Sequence, residues 1–133
     1  MRGRIILCLI FGLVGCEKPL ELPPLLRDQG ARVGNSWLLC SSPLKQHPED
    51  AVHHEGIVAN LKRQFPPGSP GNRLDAELIR QGFKVRQCET DPTVRIATYR
   101  WTEHWGGQGL IAFKADRDGK IEWATGFNSY GGP

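Results

Sequence analysis

Leu110-Ile111-Ala112-Phe113-Lys114-Ala115-Asp116-Arg117-Asp118-Gly119-Lys120-Ile121-Glu122-Trp123-Ala124-Thr125-Gly126-Phe127 is the stretch whose reading decides the fold. Asp118-Gly119 is the strongest turn signal in the chain, because glycine enters the left-handed region without a Cβ penalty and aspartate hydrogen-bonds its own backbone. Strands are expected on both sides, Leu110 to Ala115 and Ile121 to Phe127, with Ile121, Trp123, Thr125 and Phe127 sharing one face. Working backwards, Gly106-Gly107-Gln108-Gly109 reads as a glycine-rich connection. It joins that hairpin to Val94-Arg95-Ile96-Ala97-Thr98-Tyr99-Arg100-Trp101, rich in β-branched and aromatic residues. The turn Asp91-Pro92 precedes it, and before that Phe83 and Val85 alternate with Lys84 and Arg86 up to Cys88. The result is an antiparallel meander with one face to be covered.

Two helices are the amphipathic material available to cover it. From Glu49 to Gln64 few breakers occur, acidic residues start the segment, and Lys62 and Arg63 end it, as a helix dipole prefers. Ile57, Val58, Leu61 and Phe65 fall at helical spacings, while Gly56 counts against the helix. Pro66 disfavours helical backbone at Phe65 and closes the segment. Ser69-Pro70 then reads as an N-cap followed by proline at the first helical position, with Leu74, Leu78 and Ile79 as the apolar face and Gly82 as the C-terminal cap. The predicted fold is therefore α+β, two helices packed on an antiparallel sheet of three or four strands. A further short strand, Ser36 to Ser41 around Trp37-Leu38-Leu39-Cys40, is expected ahead of the helices.

The N-terminal end carries a different kind of signal. Arg2 and Arg4 precede an apolar run from Ile5 to Val14, and the chain turns polar at Glu17-Lys18, which is the pattern of a secretory signal. The run is about half the ~20 residues that a spanning helix needs. Leu13-Val14-Gly15-Cys16 at its end resembles the lipobox of bacterial lipoproteins. The resemblance implies cleavage after Gly15, an acylated Cys16 and a membrane-anchored mature chain. Glu17 rather than Asp after that cysteine implies, by the same resemblance, the outer membrane facing the periplasm. Residues 1–15 are then a signal peptide and 16–34 an extended, flexible tether containing Pro19, Pro23 and Pro24. Residues 35–133 form one α+β domain. Leu20, Leu22, Leu25 and Leu26 offer the tether an alternative, docking on the domain or on a partner.

Removal of residues 1–15 from the 133 leaves 118, the size of one domain, with 15 basic against 14 acidic side chains. Near-neutral charge and the absence of any run of five like charges give no reason to expect nucleic acid as a partner. Of four cysteines, Cys8 falls in the signal and Cys16 in the lipobox, leaving Cys40 and Cys88. In an exported chain that even remainder favours a Cys40–Cys88 disulfide.

The order Phe65-Pro66-Pro67-Gly68-Ser69-Pro70, capped helix, Gly82-Phe83 and a hairpin around Asp116-Arg117-Asp118-Gly119-Lys120-Ile121 resembles small outer-membrane lipoproteins of the BamE/SmpA-like type. The resemblance implies two helices packed on a three-stranded antiparallel sheet, a fold shared with β-lactamase-inhibitor-like domains. It covers about Gln64 to Phe127. The additional Cys40 strand and the cysteine pair depart from that pattern.

Chemistry-bearing constellations are sparse. His47, His53, His54 and His104, with Glu49, Asp50 and Glu55, do not fall at spacings that close on one metal ion and read as solvated. Asp116-Arg117-Asp118-Gly119 lacks the third acidic position and the distal Glu of a calcium loop. None of Ser36, Ser41, Ser42 or Ser69 sits in a nucleophile-elbow context. No enzymatic activity, cofactor or metal is expected. The unusual stretch is Tyr99-Arg100-Trp101-Thr102-Glu103-His104-Trp105-Gly106-Gly107, because Trp, Tyr and Arg are enriched at binding hot spots. Tyr99 and Trp101 are expected to fill the core under the helices. Trp105, in the loop Thr102 to Gly109, is the expected exposed anchor, with Arg100, Glu103 and His104 as polar neighbours. The tail from Asn128 to Pro133 is expected to be flexible.

The sequence thus predicts a monomeric, lipid-anchored envelope protein that works by macromolecular binding. A structural or assembly lipoprotein touching another envelope protein or a cell-wall component is the first reading. An inhibitor or immunity lipoprotein that neutralises a periplasmic toxin or hydrolase is the second.

Overall fold

The computed structural model describes residues 20–34 and 51–131. A 3-10 turn, Pro24–Leu26, is followed by β1 (Arg32–Val33), β2 (His53–His54), α1 (Glu55–Gln64) and α2 (Gly71–Arg80). Four strands complete the order, β3 (Lys84–Gln87), β4 (Val94–Trp101), β5 (Gly107–Ala115) and β6 (Ile121–Tyr130). β3 to β6 form one antiparallel sheet in sequence order, and β1 pairs with β2 in a separate antiparallel ribbon. The fold is the expected α+β class, with four strands in the main sheet. The expected signal segment with Cys16 and the expected Ser36–Ser41 strand with Cys40 lie outside the described residues.

Register assigns the two faces of the sheet. Arg95 pairs with Phe113, Ala97 with Ile111, Tyr99 with Gly109 and Trp101 with Gly107, so these positions share a face. Ala97, Trp101, Ile111 and Phe113 are buried in one cluster with Ile57 and Leu61 of α1 and Leu74 and Leu78 of α2. Val94, Ile96 and Ala112 fall on the opposite face, in a second buried cluster with Cys88.

The hairpin between β5 and β6 forms where Asp118-Gly119 predicts it. Asp116 Oδ1 accepts hydrogen bonds from the backbone N–H of Asp118 and of Lys120, each at 2.9 Å, and Gly119 takes φ +74°. The register shifts between Lys114 and Ala115, which pair with Trp123 and Ile121, leaving Glu122 unmatched. That bulge corrects the expected alternation: Ile121 packs in the helix-side cluster, whereas Trp123 packs with the opposite one. An extra residue on one strand reverses the face of everything beyond it.

Both helices depart from expectation at their starts. α1 begins at Glu55 rather than Glu49, because His53 and His54 are extended and paired with Val33 and Arg32. Its first N–H groups are satisfied from outside the helix, Glu55 N donating to Ala31 O at 2.9 Å and Gly56 N to Gln29 O at 2.8 Å. Gly56 is thereby explained, since a Cβ there would lie 1.9 Å from Asp28 O. In α2 the Ser69 side chain makes no capping bond; Pro70 is the cap residue, and Ser69 O instead accepts from Ile121 N at 2.8 Å. The helix ends as predicted. Gly82 takes φ +94°, Gly82 N donates to Ile79 O, and Phe83 N to Leu78 O, both at 3.0 Å, the Schellman pattern. Ile79 does not join the apolar face and is 64% exposed, one helical step away from buried Leu78.

The largest correction concerns the tether. Leu25 and Leu26 are fully buried and Leu22 nearly so, within the same cluster as the helices and the sheet. Asn128 Nδ2 donates to Leu26 O at 3.1 Å, and Leu25 N donates to Gln81 Oε1 at 3.1 Å. Residues 20–34 therefore belong to the folded unit, the docking alternative that their leucines offer. Gly109 makes the seat, because a Cβ there would fall 2.2 Å from Leu26 Cδ1. At Gly107 a Cβ would fall 2.3 Å from Cζ2 of the Trp101 ring. Both glycines serve strand β5 rather than the loop, so the β4–β5 connection shortens to residues 102–106. Asn128 is buried and β6 runs on to Tyr130, which corrects the expected flexible tail up to that residue.

Candidate functional site

The sheet and helices create two ends with different contents. One holds the β5–β6 turn, the Asp91 turn and Cys88. The other holds the β4–β5 loop, the C-terminus of α2 and the incoming segment that contains Leu25, Leu26 and Gln29.

At the second end, Trp101 and Tyr130 form the base of the loop, their rings 5.4 Å apart and edge-on. The Tyr130 hydroxyl accepts a hydrogen bond from Gln29 Nε2, tying the incoming segment to the end of β6. Above them three consecutive residues are left-handed, His104 at φ 52°, Trp105 at 71° and Gly106 at 76°. For the two with side chains this costs ~1–2 kcal/mol each, so the rest of the loop must hold them there. Gly106 N donates to Glu103 O at 3.0 Å, Gly131 N to Gly106 O at 2.9 Å, and Thr102 N to Glu103 Oε2 at 3.2 Å. The result is a turn whose largest side chain, Trp105, is 76% exposed.

The structure separates the residues that the sequence groups together. Trp105 is exposed, as expected; Trp101 is buried in the core cluster and the half-buried Tyr99 packs against it. Arg100 is exposed on the opposite sheet face from Trp101, one residue away along β4. Glu103 is exposed and commits a carboxylate oxygen to its own loop backbone, and His104 is exposed beside Trp105. Sequence reasoning misses Tyr130 and Ile79 as exposed apolar groups. Tyr130 reads in the sequence as part of a loose tail, and Ile79 as part of a buried stripe.

Titrating groups nearby have structural work. His54 is buried, and its Nδ1 accepts the Asn128 backbone N–H at 3.0 Å, which requires a neutral ring with the proton on Nε2. Burial, then the positive charge of Arg32, then His53, hold its pKa below the usual histidine value. Glu77 is pulled down to about 2 by its hydrogen bonds, first from Arg80 and then from Gln81. Gln81 in turn holds Leu25 N, so this surface chain fastens the incoming segment to α2. Elsewhere, burial raises the Asp75 carboxyl while Arg95, 3.8 Å away, opposes the rise.

A groove of about 340 Å³ runs between α1 and β6, lined by Val58, Lys62, Phe65, Trp123 and Thr125 among others. Its lining holds one carboxylate, Glu122, and no cysteine, so it offers neither a carboxylate pair nor a thiol nucleophile. Among the described residues, no three His, Cys, Asp or Glu side chains converge to hold a metal ion. Cys88 is buried and disulfide-bonded; the other half of the bond lies outside the described residues. Compared with protein-family models, curated proteins and solved structures, the chain matches none.

Proposed function

We propose that this chain is a small lipid-anchored envelope protein, acylated on Cys16, that works by binding a component of the envelope through the β4–β5 loop. The observation that carries the reading is Trp105, an exposed indole held on left-handed backbone by a hydrogen-bonded turn. A large apolar ring on an already ordered turn loses little entropy on contact, which is the property of a binding anchor. The lipobox residues Leu13-Val14-Gly15-Cys16 support the lipid anchor. The resemblance of Gln64 to Phe127 to BamE/SmpA-like lipoproteins favours a structural or assembly role facing the periplasm from the outer membrane. Cys40 is the proposed partner of Cys88.

Two variants test the reading. Cys16→Ser is expected to abolish incorporation of labelled fatty acid and to leave the precursor uncut or soluble; a labelled Cys16→Ser protein contradicts the anchor. Trp105→Ala is expected to fold and to lose its envelope contact, for which a hot-spot loss of ~2 kcal/mol is the scale. Retention of that contact by Trp105→Ala contradicts the binding role of the loop.

A further inference from the structure

Three large apolar side chains are exposed among the described residues, Ile79, Trp105 and Tyr130, and all three lie at one end of the fold. Ile79 is in the last turn of α2, next to Gln81, which holds Leu25 N; Tyr130 closes β6 and bonds Gln29; Trp105 tops the loop that Gly131 braces. The same contacts place the incoming segment there, since Leu25, Leu26 and Gln29 belong to it. The chain therefore arrives from Cys16 at the end that carries its exposed apolar groups.

Chain length limits how far that end can stand from an anchor. Four peptide steps lead from Cys16 to Leu20, where the described segment begins, and an extended chain covers at most about 14 Å over that span. Leu20 already packs against the core. An acyl chain on Cys16 would thus hold Leu20 within about 14 Å of the lipidated residue, a distance comparable with a headgroup layer of about 5–8 Å plus one side chain. Trp and Tyr are the residues that favour that layer, because each joins an apolar ring to a polar edge. Arg27 and Arg100, both exposed at the same end, bring cations suited to lipid phosphates.

We propose that the end of the fold bearing Ile79, Trp105 and Tyr130 seats in the headgroup layer of the membrane that holds the Cys16 anchor. The proposal rests on the anchored reading above and names the component that the loop meets as the lipid surface itself. The β5–β6 turn then points away from the membrane.

The test uses the acylated protein in phosphatidylcholine vesicles whose lipids carry bromine on the upper part of their acyl chains. The emission of Trp105 is taken as the difference between the wild-type protein and Trp105→Phe. Quenching of that difference by the brominated lipid, with loss of quenching by aqueous acrylamide, is the expected result. Emission that acrylamide quenches and brominated lipid does not, in protein shown by intact mass to be acylated, overturns the proposal while leaving the anchored reading in place; a protein or cell-wall partner would then be the occupant of the loop. An intact mass without lipid on Cys16 overturns both. The corresponding difference for Trp123→Phe, on the other sheet face, is expected to show no quenching by brominated lipid, and equal quenching at both positions would overturn the proposed seating.

Discussion

At the β5–β6 turn Asp116 takes two backbone N–H groups and the left-handed residue is Gly119, with open space around it, whereas the β4–β5 turn puts His104 and Trp105 in the left-handed region and is braced by Gly131 near the far end of the chain. The first turn is encoded within a few residues and exposes no large apolar side chain. The second is held by a long-range contact and presents an indole. Backbone strain that persists because the surrounding structure enforces it is the pattern found at functional sites, and here it carries Trp105, the anchor of the proposed contact.

The largest expected effect is at the end that holds Cys88. The proposed Cys40–Cys88 bond should contribute ~4 kcal/mol on the chain-entropy model, lost in Cys40→Ser and read by urea unfolding with and without reductant. Two free thiols on alkylation of denatured, unreduced mature protein would contradict the proposed Cys40–Cys88 bond. Next, Leu26→Ala should cost ~3 kcal/mol by the same unfolding measurement, because a fully buried leucine leaves a cavity over Gly109. A loose tether would lose nothing, so an unchanged midpoint would contradict the packed segment. Gly119→Val should cost ~1–2 kcal/mol from left-handed strain alone, since no neighbouring atom lies within reach of its Cβ. A much larger loss would show that the turn is held by more than its own backbone.

A smaller effect should appear with pH. The folded pKa of His54 is depressed, so the neutral ring's contribution is complete above the ordinary value and is lost as pH falls through the folded one. Unfolding midpoints should therefore drop between about pH 7 and pH 5, and His54→Gln should flatten that slope. A variant with the wild-type slope would assign the effect to another group. Smallest of all, Trp105→Gly should leave the thermal midpoint unchanged or slightly raised, because glycine relieves the left-handed backbone and no core contact is lost. A drop of the Leu26→Ala kind would make Trp105 a packing residue.

Legibility in the sequence follows the range of the interactions. Asp118-Gly119 and Gly82 announce themselves because the chemistry that fixes them lies close by in the chain. Gly56 and Gly109 are ambiguous, since what each accommodates, Asp28 O and Leu26, is distant in sequence and lies in a segment with no periodicity. The bulge opposite Lys114 leaves no local mark, yet it reverses the face of Trp123 relative to Ile121. Trp105 is legible as an aromatic beside glycines. Ile79 and Tyr130 are not, because the buried stripe of α2 is narrow enough to leave Ile79 outside it, and the exposure of Tyr130 depends on where β6 ends.

The most direct measurement places a photo-crosslinking amino acid at position 105 and, in a separate protein, at position 117 on the opposite turn, both in the protein expressed with its proposed Cys16 anchor in whole cells. Lipid adducts at position 105 and none at position 117 are the result expected of the proposed seating. Adducts at position 117 with none at position 105, in protein that is folded and acylated, would contradict it.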